Sequence, residues 1–196
     1  MKLNCILAGV GGQGTVVASK IIGTLGVQKG WFVRTAETIG MAQRGGSVTS
    51  HLRIGEGLYA PMVPKGEADL IIGFEPGEAV RCMPYLRTGG MVISVEEPIL
   101  PTIGGLANAP YRSIEMTGYL RHHAEKAWIL NGKRLSGGQP KTLNIALLGA
   151  AVVAGGLPFT PEELLDMIRK KLPPAFFEAN RAALFRGIRE VETQSS

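Results

Sequence analysis

A glycine turn between a short apolar run and an amphipathic helix constrains the fold of this chain more than any other feature. Residues Leu3 to Ala8 are mostly apolar and lead into glycines at positions 9, 11 and 14, which match the spacing G-x-G-x-x-G. Apolar side chains recur at helical spacing from Thr15 to Lys29, and Gly30 is suited to end that helix. Because Trp31 to Ala36 has the composition of a strand, this order predicts two parallel strands joined by a right-handed crossover.

The rest of the chain continues the alternation of strands and helices. Ser47 to Ile54 alternates apolar and polar residues, and Gly55 to Gly57 is typical of a hairpin turn before Leu58 to Ala60. Further strands are predicted at 69–74, 91–95 and 127–130, with a turn at 88–90, and further helices at 76–86, 113–124, 142–154, from Thr160 onward and up to about 192. The predicted fold class is α/β: a doubly wound, Rossmann-like, mostly parallel sheet with an added hairpin and C-terminal helices.

The length and the cysteine content limit the domain organisation and the chemistry. A chain of 196 residues suits a single domain, predicted at 1–192, with a flexible tail at 193–196. The 2 cysteines indicate a reducing compartment, and they are too few to build an iron–sulfur cluster or a structural zinc site by themselves. The longest apolar run, Ile145 to Leu157, is too short to span a bilayer, and we expect a cytoplasmic protein without a membrane partner.

The net charge of +5 suits an anionic cofactor or an acidic partner. The basic residues are scattered along the chain and are not interleaved with aromatic residues. Nucleic acid is therefore not among the expected partners.

The first glycine motif predicts an anion site, because glycines allow close approach and the following helix directs its positive end toward the turn. The alternative that the turn serves packing alone stays open. Thr15 stands where a P-loop needs lysine, which argues against a Walker-type NTPase. Glu37 could hold the ribose of a dinucleotide, or Arg34 a 2′-phosphate, but Gln13 places an amide where a pyrophosphate would sit.

A second glycine segment, Met41 to Ser47, precedes the strand that carries His51 and Arg53. Arg44 is followed by two glycines and could act as an anion clamp, or it could be a solvated side chain in a turn. We expect this segment to lie at the same sheet edge as the first glycine turn. His51 and Arg53 should share one strand face.

Together these motifs resemble the gamma-type module of 2-oxoacid:ferredoxin oxidoreductases, also known as the pyruvate/ketoisovalerate oxidoreductase gamma domain. The resemblance extends from about residue 3 to residue 180. In overall length, and in the long linker after Ser47, it is nearest to the indolepyruvate branch. The matching segments are 9–14, 37–47 with His51 and Arg53, 74–76, 141–144 and 147–150.

The resemblance implies a small subunit of a complex that oxidatively decarboxylates an aryl pyruvate to an acyl-CoA and reduces ferredoxin. It implies that this chain alone binds no cofactor and is inactive alone, and that thiamine diphosphate, iron–sulfur clusters and coenzyme A belong to the complex with a large partner subunit. Ferredoxin would be reached through that complex, and a homodimer of the isolated chain stays open. An autonomous NAD(P)- or flavin-dependent oxidoreductase is the alternative function.

No residue is assigned a catalytic role and no metal ligands are expected. The predicted cofactor-binding residues are Gly9, Gly11, Gly12, Gln13, Gly14, Gln43, Arg44, Gly45, Gly46 and Ser47.

Overall fold

A six-stranded sheet between two layers of helices forms the centre of the molecule in the computed structural model, which describes residues 1–39, 46–99 and 111–195. The strands are β1 Leu3–Val10, β2 Val33–Ile39, β3 Ser47–Ile54, β4 Ala68–Gly73, β5 Leu86–Val95 and β6 Lys126–Leu130. The helices are α1 Thr15–Gln28, α2 Pro76–Cys82, α3 Ser113–His123, α4 Gly132–Ser136, α5 Leu143–Val153, α6 Pro161–Lys171 and α7 Phe177–Ser195. Single 3-10 turns occupy Met83–Tyr85, Pro140–Thr142 and Pro174–Phe176.

Strand β1 lies inside the sheet and is buried along its whole length. Its side chains alternate between two cores, since successive residues of a strand face opposite sides. Leu7 belongs to the core that contains α1, α5, α6 and α7, and Ile6 belongs to the smaller core under α2 and α3. The two cores therefore fix the position of the glycine turn that follows β1.

The strand order is β2-β3-β1-β4-β5-β6, with β1, β4, β5 and β6 parallel to one another. The predicted α/β class with a mostly parallel sheet is confirmed. The predicted direct pairing of the first two strands is wrong, because β3 lies between β1 and β2 and runs antiparallel to both. Gly23 and Gly26 of α1 face β2 and β3, where an added Cβ would lie 3.7 Å and 2.9 Å from methyl groups of Val33.

Two predicted turns differ from the structure. Leu58 to Ala60 does not form a strand, because Arg53 instead donates a hydrogen bond from Nη1 to the Ala60 carbonyl oxygen at 2.9 Å. The predicted turn at 88–90 lies within β5, where the register shifts between Ala68 and Leu70 of the neighbouring strand. The residues that predicted a turn instead form an irregular part of one continuous strand.

The C-terminal helices follow the sequence closely. The capping box that begins α6 is present: Thr160 Oγ1 accepts a hydrogen bond from the Glu163 N–H at 3.3 Å, and Glu163 Oε2 accepts one from the Thr160 N–H at 2.9 Å. Helix α7 continues through Ser195, and Ser196 lies outside the described residues. Within the described part of the chain, no helix is both long enough and apolar enough to cross a membrane.

Candidate functional site

The two glycine segments meet at the carboxyl end of β1. Val10 pairs with Ser47 in the sheet, and the Gly11 N–H donates a hydrogen bond to the Gly46 carbonyl oxygen at 2.9 Å. The reason is the antiparallel direction of β3, which makes its first residue meet the last residue of β1. Gln43, Arg44 and Gly45, which include the arginine of the predicted anion clamp, lie outside the described residues.

Gln13 joins two strands at this edge. Its Oε1 accepts a hydrogen bond from the Val10 N–H at 2.8 Å, and its Nε2 donates one to the Phe74 carbonyl oxygen, directly after β4, at 2.6 Å. The amide thus satisfies backbone groups that the ends of two parallel strands would otherwise leave without a partner. The Gln13 side chain therefore stabilises the fold of this edge.

The glycines of the first motif serve different purposes. An added Cβ at Gly9 would lie 2.7 Å from Gln13 Oε1, so Gly9 makes room for the amide. Gly12 has open space around it but a φ of +98°, which a side chain disfavours. Gly14 combines a φ of +82° with a close neighbour, because an added Cβ would lie 2.7 Å from Asn144 Nδ2.

An open cleft of about 560 Å³ separates this glycine turn from the C-terminal helices. Two sequence motifs face each other across it, namely the turn at 12–14 and the segment at 141–144. Its walls are Gly12, Gln13, Gly14, Val17, Gln139, Pro140, Lys141, Thr142, Asn144, Leu172, Pro173, Phe176, Ala179 and Asn180. Most of this lining is apolar or uncharged, and Lys141 is the single ionisable residue in it.

The cleft is suited to an anionic group attached to a less polar chain. Helix α1 follows Gly14 without a side-chain cap. Helix α5 continues a 3-10 turn, and two of its first N–H groups already have partners: the Leu143 N–H donates to the Pro140 carbonyl oxygen, and the Ile145 N–H donates to Asn144 Oδ1 at 2.9 Å. The first N–H groups of a helix have no partner within it and carry partial positive charge. With Lys141 in the lining, the N-terminus of α1 and one ammonium group border the same space.

A pair of buried carboxylates lies next to the glycine segments, and sequence reasoning missed it. Glu75, directly after β4, caps α2 by accepting the Glu78 N–H at 2.8 Å, and it also accepts a hydrogen bond from the Tyr111 hydroxyl. Glu78 accepts a hydrogen bond from the Ser47 hydroxyl at 2.6 Å. The sequence signal that could have revealed this pair is the start of α2. Glu75 directly precedes Pro76, and Glu78 is the third residue of the helix.

Tyr111 is held in its phenol form by this arrangement. Burial, and then the hydrogen bond to the Glu75 carboxylate, raise the pKa of Tyr111. Its hydroxyl also accepts a hydrogen bond from the Gly77 N–H at 3.0 Å. The tyrosine and the two carboxylates therefore hold the first turn of α2, the start of β3 and residue 111 together.

His51 and Arg53 share one face of β3, as predicted, and both hold the segment that follows this strand. His51 Nδ1 accepts a hydrogen bond from the Val63 N–H at 3.2 Å, and burial lowers the pKa of the imidazole. Arg53 donates to Asn4 Oδ1 at 2.9 Å as well as to the Ala60 carbonyl oxygen. His51 is only 2% exposed, so its role in this structure is internal packing.

The structure does not support a dinucleotide site of the usual kind. Glu37, the candidate ribose ligand, lies on β2, and β3 separates that strand from the glycine turn of β1. Strands β1 and β2 are thus two strand spacings apart, which amounts to about 10 Å.

The two thiols lie in different cores. Cys5 lies in the core that contains α1 and Cys82 in the core under α2. Burial raises the pKa of both thiols, in the case of Cys82 to about 11. Among the described residues no group of three or more histidine, cysteine, aspartate or glutamate side chains is arranged to hold a metal ion.

Comparison with known proteins extends these observations over nearly the whole chain. The family described as pyruvate ferredoxin/flavodoxin oxidoreductase matches residues 4–190. A protein of Pyrococcus horikoshii named indolepyruvate oxidoreductase subunit IorB is 35% identical over 197 residues, covering 96% of this chain and 95% of the relative. A protein of the same name from Thermococcus kodakarensis is also 35% identical, again covering 96% of this chain and 95% of the relative.

Solved structures share the fold. The gamma subunit of a keto/oxoacid ferredoxin oxidoreductase from Geobacter sulfurreducens superimposes with a TM-score of 0.70 at 19% identity, covering 97% of this chain and 99% of that chain. A 2-oxoglutarate:ferredoxin oxidoreductase from Magnetococcus marinus, solved with 2-oxoglutarate, coenzyme A and succinyl-CoA, superimposes with a TM-score of 0.71 at 16% identity. The superposition covers 98% of this chain but only 31% of that longer chain.

Proposed function

This chain belongs to the pyruvate ferredoxin/flavodoxin oxidoreductase family, and we propose that it is the small subunit of an indolepyruvate-type 2-oxoacid:ferredoxin oxidoreductase. The complex converts an aryl pyruvate, coenzyme A and oxidised ferredoxin to an acyl-CoA, carbon dioxide and reduced ferredoxin. The observation that carries the proposal is 35% identity to indolepyruvate oxidoreductase subunits across nearly the full length of both chains.

The large partner subunit supplies the thiamine diphosphate and the iron–sulfur clusters in this proposal. The residues of this chain do not fit a cluster, because Cys5 and Cys82 lie in two different cores and their raised thiol pKa values oppose the thiolate form that binds iron. This chain therefore contributes shape and charge to the complex and no redox ligand.

The glycine edge and its cleft are the part of this chain that we assign to the shared active site. The N-terminus of α1 and the Lys141 ammonium group would hold the phosphates of coenzyme A, and the apolar wall formed by Val17 and Phe176 would contact the less polar part of that molecule. Gly12 and Gly14 allow the backbone to approach the anion, while Gly9, Gly11 and Gln13 hold the turn in shape. Gly46 and Ser47 support the same edge, and Gln43, Arg44 and Gly45 complete it in the proposal.

Reconstitution tests the function. The chain should show no 2-oxoacid oxidation alone, and together with its thiamine-binding, cysteine-rich partner it should reduce ferredoxin with indolepyruvate and coenzyme A. Pyruvate and 2-oxoglutarate serve as the comparison substrates. Turnover by this chain alone, or a reconstituted complex that prefers either comparison substrate, would contradict the proposal.

Lys141→Gln tests the cleft. Loss of one partly exposed charge contact, worth about 1 kcal/mol, should raise the KM for coenzyme A about fivefold with kcat unchanged. Lys171→Gln, which changes another exposed lysine that does not line the cleft, is the matched control. An unchanged KM in Lys141→Gln would remove the cleft from coenzyme A binding and leave the subunit assignment intact.

A further inference from the structure

Asn180 places a carbonyl oxygen without a partner in the wall of the cleft. This residue lies in the first turn of α7, is only 6% exposed, and lines the cleft together with Phe176. Its Nδ2 donates a hydrogen bond to the Phe176 carbonyl oxygen at 2.8 Å. Because two carbonyl oxygens cannot pair with each other, this bond fixes the orientation of the amide and directs Oδ1 away from Phe176.

The cleft is the place from which Asn180 Oδ1 can be reached. No donor among the described residues bonds this oxygen. It is also not sealed in the interior, since in the described part of the chain the fully buried side-chain oxygens without a partner are those of Ser19 and Ser50. A ligand that displaces water from Oδ1 therefore weakens its own binding unless it brings a hydrogen-bond donor.

The other amide side chains at the glycine end of the cleft are used within the fold. Gln13 bonds backbone groups through both ends of its amide. Asn144 accepts a hydrogen bond from the Ile145 N–H at 2.9 Å and donates one to the Gly14 carbonyl oxygen at 3.5 Å. Asn180 differs from these two residues, because the acceptor end of its amide remains available to a ligand.

A neutral N–H group is the partner that this oxygen selects. An anionic group would be repelled by the partial negative charge of a carbonyl oxygen, whereas the N-terminus of α1 at the other side of the cleft attracts one. Phe176 is 57% exposed and precedes Asn180 by four residues, so apolar surface adjoins the acceptor. This wall therefore fits a chain in which apolar stretches alternate with amide groups.

We propose that Asn180 is a specificity-determining residue that accepts a hydrogen bond from an amide N–H in the pantetheine arm of coenzyme A. The inference rests on the proposed function, in which the cleft holds coenzyme A. That arm carries two secondary amides between apolar stretches, and the phosphates lie at the end remote from the thiol. With the phosphates at the N-terminus of α1, the arm extends along the wall formed by Phe176 and Asn180.

Two analogues of coenzyme A test the contact, each with one of the two amide N–H groups replaced by an ester oxygen. In the reconstituted complex, the analogue altered at the contacted amide should raise KM about tenfold with kcat unchanged. The reason is that Asn180 Oδ1 then meets an ester oxygen where it needs a donor. The other analogue should keep a KM within about twofold of that for coenzyme A.

Asn180→Leu shows whether the effect acts through this residue. The substitution removes Oδ1 at similar volume, so the ratio of KM between the sensitive analogue and coenzyme A should fall below about twofold. Gln194→Leu is the matched control, because it removes an amide on the same helix that donates to a backbone carbonyl oxygen, that of Ile129 at 3.5 Å, outside the cleft. The control should keep the ratio of about tenfold.

Equal KM values for coenzyme A and both analogues in the unchanged complex would overturn the inference and leave the subunit assignment intact. The same holds if Asn180→Leu keeps the full KM ratio. Asn180→Ala takes the place of Asn180→Leu if the leucine variant does not assemble with the large subunit. A complex that turns over indolepyruvate without any dependence on coenzyme A would contradict the proposed function, and this inference with it.

Discussion

At the scale of single residues, Gln13 is the side chain on which the geometry of the glycine edge depends. Its amide accepts from the Val10 N–H and donates to the Phe74 carbonyl oxygen, so one side chain fixes the ends of β1 and β4 relative to each other. In the sequence it occupies one of the variable positions of a glycine motif. Its structural role gives the first prediction.

Gln13→Leu should lower the free energy of unfolding by about 2–6 kcal/mol, because two backbone groups lose their partners at about 1–3 kcal/mol each. Urea denaturation measures the change. Gln28→Leu, at an exposed position near the end of α1, is the matched control and should shift stability by less than about 0.5 kcal/mol. Equal effects of the two substitutions would show that the Gln13 amide does not join the strands.

His51 gives a prediction about pH. Burial lowers the pKa of its imidazole in the folded state, so the unfolded chain binds the proton more readily. The stabilisation is complete above the unfolded pKa of about 6.5 and is lost as the pH falls through the folded pKa. His51→Gln, which keeps an acceptor for the Val63 N–H, should therefore show a weaker loss of stability between about pH 7 and about pH 5.

Urea denaturation at a series of pH values measures this difference. His122→Gln, which changes an exposed histidine on α3, should keep the pH dependence of the unchanged chain. A His51→Gln variant with the same pH dependence as the unchanged chain would contradict the buried, neutral imidazole.

At the scale of elements, α5 and α7 pack unusually closely. An added Cβ at Gly149 would lie 2.4 Å from the Leu184 carbonyl oxygen, and one at Gly187 would lie 1.9 Å from that of Ala146. Glycines on both helices therefore allow the two backbones to touch. This contact positions α5, whose first turn borders the cleft.

Gly187→Ala should lower the free energy of unfolding by about 3 kcal/mol, because the new methyl group overlaps backbone that cannot move aside. Thermal or urea denaturation measures it. Gly118→Ala on α3 is the opposite case, since no atom lies within 4 Å of the added Cβ, and it should stabilise the protein by about 0.5–1 kcal/mol. Stabilisation by both substitutions would contradict the close helix contact.

At the scale of the whole molecule, two cores on opposite faces of one sheet share the central strands. Cys5 reports on the core that contains α1, and Cys82 reports on the core under α2 and α3. Both thiols are buried and protonated at neutral pH, since their pKa values are raised. They are natural probes of whether the chain unfolds as one unit, which is our proposal for its domain organisation.

Both cysteines should react with a thiol reagent only through global opening, with the same free energy of opening for each. Mass spectrometry of the labelled peptides, over a range of reagent exposure times, measures the two values. Peptides from the fully unfolded chain provide the intrinsic rates. Labelling of Cys82 at a markedly lower free energy than Cys5 would show that the α2 and α3 layer opens separately.

The sequence by itself determined the local elements near the site. The glycine turn with its helix, the capping box at Thr160, the buried α5 and the mostly parallel sheet follow from patterns that neighbouring residues encode. The expectation that this chain builds no iron–sulfur cluster by itself came from counting its 2 cysteines. These features depend on backbone conformation and on composition, which short stretches of sequence control directly.

Only the tertiary structure decided which strands are neighbours and what each polar side chain does. The insertion of β3 between β1 and β2 moved Glu37 away from the glycine turn, and Gln13 became a link to Phe74, a residue 61 positions away. The cleft and the contact between α5 and α7 likewise join distant segments. Such pairings depend on how whole layers pack, a balance of many long-range contacts that no local pattern records.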